Sequence, residues 1–169
     1  MVSTQSFQML VQWICLGRVV FGELAPGEAI TTAIEFARLA DMCGVTGMES
    51  LIAENIKAII LANPAPADWE FYSGRTPDTS THCLTSQHIS SAVALPERHS
   101  VRGILAAASV EGYLRDNKCK LLKETLEIPD FSVDLLRAMR ATLESLTYEE
   151  YKIIFKDPIS GKKLKLLKA

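Results

Sequence analysis

Two apolar stripes at helical spacing, joined by a link of only a few residues, constrain this chain more than any other feature. Ile30, Ala33, Ile34, Ala37 and Ala40 fall on one face of a 3.6-residue repeat. Met48, Leu51, Ile52, Asn55, Ile56 and Ile59 do the same, with Glu49, Glu54 and Lys57 to the outside. Pro26 suits the first turn of the earlier helix, Glu28 lies near its positive end, and Gly44 suits its stop. Gly44 and Gly47 make a tight corner, so the two helices are expected to pack as a hairpin, and the alanines admit a close neighbour.

The same reasoning extends along the chain. Ser3 can cap a helix carrying Phe7, Leu10, Val11 and Ile14 at i, i+3, i+4, i+7, and Gly17 can stop it. Arg18 to Gly22 reads as one edge strand or an extended link. Thr85 or Ser86 opens a short helix with Ile89, Ala92 and Val93, closed by Pro96, and Ser100 caps one with Val101, Ile104, Leu105 and Ala108. A short helix is expected over Lys118 to Leu126. Asp130 is placed as the cap of a helix whose stripe is Val133, Leu136, Met139, Arg140 and Leu143. Thr147 with Glu150 matches a capping box, predicting a last helix through Phe155 that Asp157-Pro158 ends. The tail beyond reads as a small hairpin or a frayed end. The expected fold is mainly α, a set of helical hairpins or a bundle with at most a short strand or small hairpin.

One segment breaks the pattern. Between residues 63 and 84, Pro64, Pro66, Gly74 and Pro77 sit among small polar residues, a loop long enough to be a linker or a functional surface. Trp69, Phe71 and Tyr72 within it either pin the loop to the body or form a partner-binding patch. The chain therefore divides into helices over 1–62, a loop or linker over 63–84, a further helical region over 85–156 and a basic tail over 157–169.

Charge narrows the function. With 20 acidic and 18 basic residues the chain lacks the basic excess of a nucleic-acid binder, and nucleic acid is not the expected partner. The local exception is the tail, where Lys156, Lys162, Lys163, Lys165 and Lys168 face only Asp157. A solvated terminus is the plain reading of that run; a contact with phosphate or an acidic partner is the alternative. Cys15, Cys43, Cys83 and Cys119 lie far apart, and the polar start lacks a signal-peptide pattern, so they read as reduced thiols, mostly core filler. No apolar run is long enough for a membrane span. The expected setting is intracellular, in the cytoplasm, the nucleus or both.

Catalytic and metal motifs are weak. His82, Cys83, His88 and His99 lack the paired spacing that lets one turn supply two ligands to a tetrahedral ion, so no metal or cofactor is expected. His88 reads as an exposed first-turn residue and His99 as a helix-entry residue. No G-x-S-x-G turn occurs, and Ser160-Gly161-Lys162-Lys163 lacks the upstream glycine of a phosphate-binding loop. The chain is not expected to be an enzyme. A helical ligand-binding or enzymatic domain, or a regulatory factor that uses the lysine-rich tail on nucleic acid, are the alternatives.

Several blocks carry a family likeness. Phe7 to Val19 resembles the late helix and Gly corner of a BTB/POZ domain, with Trp13, Gly17 and Arg18 in place. Ala33 to Leu51 is similar to that family's paired helices, through Ala40-Asp41, Cys43 and Val45. Leu95 to Arg102, Ala107 to Leu114 and Asp130 to Leu136 resemble the helical extension that follows the domain in fungal members. The resemblance implies a non-enzymatic scaffold or adaptor that binds partner proteins or a second copy of itself. The family's N-terminal strands and first helices, with the segment that contacts cullin-type ubiquitin ligases, have no counterpart in these residues, which leaves such a ligase an open partner. Helices built to cover a sheet would then expose apolar surface, and Phe7, Leu10, Val11 and Ile14 are the expected patch. Covering it at about 25 cal/mol per Å² would contribute several kcal/mol.

Overall fold

A computed structural model describes residues 3–65, 79–115, 121–149 and 152–166. The chain is mainly helical with a small antiparallel sheet. Helices α1 (Thr4–Leu16), α2 (Pro26–Met42) and α3 (Glu49–Ala62) come first, then α4 (Ser86–Ala92), α5 (Ser100–Arg115), α6 (Leu122–Glu127) and α7 (Pro129–Leu143). Strands β1 (Thr147–Glu149), β2 (Lys152–Lys156) and β3 (Lys163–Lys165) follow.

The first three helices form as their ends dictate. Ser3 Oγ accepts the Ser6 N–H at 3.2 Å, a cap that typically contributes about 1 kcal/mol. Gly17 closes α1 in the left-handed region at φ 62°, its N–H bonded to Trp13 O. At the α2 stop the Gly44 N–H bonds Asp41 O and the Val45 N–H bonds Ala40 O, a Schellman closure that needs the left-handed φ of 65° at Gly44. Residues Arg18 to Gly22 are extended without pairing into a sheet.

One hydrophobic cluster draws on most of the elements. Ile30, Ile34 and Phe36 of α2, Ile52, Ile56 and Ile60 of α3, Leu84 and Ile89 around α4, and Val101 and Leu105 of α5 are buried together. Helix α5 buries residues around most of its circumference, from Val101 and Leu105 to Val110 and Gly112, because α3, α4 and α7 all pack on it. Its Glu111 is buried but paired, with Arg115 Nη1 at 2.7 Å and the Thr79 hydroxyl at 2.7 Å.

A buried ionic node joins α5 to α7. Arg102 Nε lies 2.7 Å from Asp134 Oδ2, and the guanidinium also donates to Leu95 O at 3.0 Å and Asp130 O at 3.3 Å. Asp134 Oδ1 takes a further, longer contact from Arg137 at 3.4 Å. Both charges are therefore largely saturated despite burial.

Several expectations change. Thr147–Glu149 and Lys152–Lys156 are strands in place of the expected helix; Glu150 lies outside the described residues, and Glu149 pairs with Lys163 at 2.7 Å. The β-branched and aromatic run Ile153-Ile154-Phe155, followed by Asp157-Pro158-Ile159-Ser160-Gly161-Lys162, suits a strand and a six-residue hairpin loop. Asp157 Oδ2 accepts the Ser160 N–H at 2.7 Å, and Gly161 takes φ 70°. The sheet order β1-β2-β3 sets Ile154 opposite Thr147 and Phe155 opposite Leu164, with Phe155 turned inward and fully buried.

Helix α7 starts at Pro129 with Ile128 as its cap residue, two residues earlier than an Asp130 cap would place it. It buries Phe131, Asp134, Leu135 and Thr142, so the stripe Val133, Leu136 and Leu143 faces outward. The Arg102 node and the Phe131 and Leu135 side chains outcompete that stripe for the inner side. His88, expected to be exposed, is buried: its Nδ1 accepts the Thr85 N–H at 3.1 Å while Thr85 Oγ1 accepts the His88 N–H, a capping box with histidine in the acidic position. With Nδ1 accepting, Nε2 carries the proton toward Gly27 O at 3.1 Å, which ties α4 to the first turn of α2. Finally, Cys15 and Cys43 are exposed and Cys83 half-buried, so the thiols are not core filler; Cys119 lies outside the described residues.

Candidate interaction surface

Helix α1 packs by the side that carries Ser6, Met9 and Leu10, with Trp13 partly buried beside them. That places the expected patch about one residue off. Leu10 is only 4% exposed and belongs to the core, whereas Phe7, Val11 and Ile14 are 56%, 42% and 61% exposed. The correction follows from geometry: residues 6, 9, 10 and 13 share one helical face and 7, 11 and 14 the next, so Leu10 sits at the border and turns inward. Trp69, Phe71 and Tyr72, the other candidates, lie outside the described residues.

The outer face of α1 is chemically unusual. Its other exposed members are Thr4, Gln8 and Cys15, and residues 1–17 contain no Asp, Glu, Lys or Arg. The exposed Leu16 and Val20 continue the apolar character at its end, and Gln12 Oε1 accepts the Val20 N–H at 3.0 Å, holding the extended link against the helix. Helix α7 offers a second apolar row, Val133, Leu136 and Leu143, but the exposed Arg140 interrupts it.

The histidines serve structure. His88 makes the capping box described above. His99 precedes α5 and its Nδ1 accepts the Val101 N–H at 3.1 Å, so His99 caps the helix and Ser100 is its first residue. Burial pushes the His99 imidazole below its ordinary value of 6.5, assisted by Arg102 and opposed by Glu49 and Asp41. The folded state thus binds fewer protons at this site than the unfolded chain. Its stabilising contribution is full above pH 6.5 and declines as pH falls toward the lowered value. Melting curves taken from pH 7.5 to 5 should show this loss, and His99→Asn, which keeps a capping acceptor, should flatten it; an unchanged pH slope would refute the assignment.

Among the described residues no group of three His, Cys, Asp or Glu side chains is arranged to hold a metal ion. No described helix is long and apolar enough to cross a membrane. No protein-family model, curated protein or solved structure matches this chain.

Proposed function

We propose that the chain is a non-catalytic protein–protein interaction module, BTB/POZ-like in its helices, that self-associates through the outer face of α1. The observation that carries this reading is an uncharged helix with Phe7, Val11 and Ile14 turned to solvent. Interface cores are depleted of charge and enriched in aromatic residues, and this face meets both conditions. A second copy is the favoured occupant because a two-fold contact sets the same patch against itself, and a neutral patch meets no like-charge repulsion. The α7 row is less suited, since pairing it with its own copy would bring the Arg140 side chains together. The resemblance of Phe7 to Val19 and Ala33 to Leu51 to BTB/POZ helices agrees with a binding role.

Light scattering coupled to size exclusion tests it. At micromolar concentration the protein should run with the mass of two chains. Phe7→Asp and Ile14→Asp should each weaken association by about thirtyfold or more, a hot-spot effect of roughly 2 kcal/mol, without changing the helical spectrum. Leu10→Asp should instead lose the fold. A wild-type monomer, or a dimer indifferent to both surface changes, would sink the proposal.

A further inference from the structure

A cleft of about 790 Å³ lies where α3, α5, α7 and the β2–β3 loop meet. Its space exists because the helices present small residues there, Gly103 and Ala107 on α5 and Ala138 and Ala141 on α7. The volume is within the range of small-molecule sites. Charge gives it a sign. Lys57, Arg98, Arg137 and Lys156 line the cleft against Asp134 and Asp157. Asp134 is already bound by Arg102 and Arg137, and Arg137 is further engaged by Glu97. Lys57, Arg98 and Lys156 form no ion pair among the described residues, which leaves three cations without an ion-pair partner in a cleft whose lining also holds Asp157.

That carboxylate is the second, independent observation. Asp157 is 1% exposed; its Oδ2 accepts from the Ser160 N–H at 2.7 Å and from the Ser160 hydroxyl at 2.6 Å, yet its buried Oδ1 has no hydrogen-bond partner. A buried acceptor left open calls for a donor. A metal cation would be repelled by the surrounding basic groups, inorganic phosphate with its single P–OH would fill only a small part of a cleft of about 790 Å³, and the phosphate of a monoester dianion has no proton of its own to offer. Both demands are met by one ligand that carries a phosphate for the cations and a hydroxyl for Oδ1.

We infer that this cleft binds a phosphate monoester bearing free hydroxyl groups, the chemistry of a sugar or inositol phosphate, with Lys57, Arg98 and Lys156 holding the phosphate and Asp157 Oδ1 accepting from a hydroxyl. The site is separate from α1 and its occupancy does not depend on self-association.

Isothermal titration of the full chain with glucose 6-phosphate and with inositol 1,4,5-trisphosphate tests this, with inorganic phosphate and myo-inositol as references. At least one ester should bind saturably, and more tightly than inorganic phosphate. Lys57→Gln and Lys156→Gln should each weaken it roughly tenfold. Asp157→Asn, which keeps an acceptor for Ser160, should erase the advantage of the ester over inorganic phosphate. Vesicles of phosphatidylcholine with a phosphatidylinositol phosphate distinguish a lipid headgroup from a free ester: capture that soluble inositol phosphate competes away assigns the lipid source, and no capture assigns the free one. Phe7→Asp should leave ester binding intact. No saturable binding by either ester, or binding unchanged by the lysine and Asp157 variants, would overturn the inference.

Discussion

Asp134→Ala should destabilise the protein by about 3–5 kcal/mol, enough to leave many domains of this size largely unfolded. The cost is not the loss of an attraction alone. Arg102 and Asp134 are each buried at the α5–α7 contact, and the guanidinium cannot shed its charge. Without the carboxylate it retains bonds to Leu95 O and Asp130 O, but neither carbonyl neutralises it. The paired replacement Arg102→Met with Asp134→Leu should recover most of the loss, because two apolar side chains of similar volume remove both desolvation penalties together. Urea unfolding of the two single variants and the double variant gives the answer. A double variant as unstable as the sum of the singles would show that the node works through its carbonyl contacts and not through charge balance.

The second large effect is expected at Phe36. Phe36→Ala should cost about 3–5 kcal/mol, read as a lower urea midpoint with unchanged slope. Phe36 is fully buried in α2, the helix on which α1, α3 and α4 all pack, so no single neighbour can move in to fill the space. Leu51→Ala is the informative contrast. Leu51 lies on the stripe that periodicity assigns to the α3 core, yet it is exposed, and its loss should stay near or below roughly 0.5 kcal/mol. Equal effects at the two positions would contradict the packing described above.

These contrasts mark how far the chain can be read without coordinates. Local signals were legible wherever one residue's backbone preference settles the matter. Ser3, Gly17, Pro26 and Gly44 bound their helices as their caps and dihedrals require, and the stripe from Ile30 to Ala40 is buried throughout. The β2 strand was missed: Ile153-Ile154-Phe155 and the turn residues after it carry a strand signal, but a chance match to a capping box at Thr147 and Glu150 pointed to helix. The candidate surface was half legible: the helix and its apolar content could be read, while the border position of Leu10 could not. The cleft gave only a partial sequence signal: the lysine run that begins at Lys156 beside Asp157 left a phosphate contact open, but Lys57 and Arg98 come from separate segments that only the fold brings to it.

By itself, the sequence determined a mainly helical chain, where its first helices begin and end, and a first helix with no charge on it. Those outcomes depend on interactions within four or five residues, where periodicity and capping act. The tertiary structure alone decided which of two adjacent helical faces turns inward, in α1 and again in α7. An amphipathic stripe fixes a direction only to within about one residue's rotation, roughly 100°. The choice inside that arc falls to the neighbours: the core beneath Met9 and Leu10, and the buried Arg102 charge that claims Asp134 for the inner side of α7.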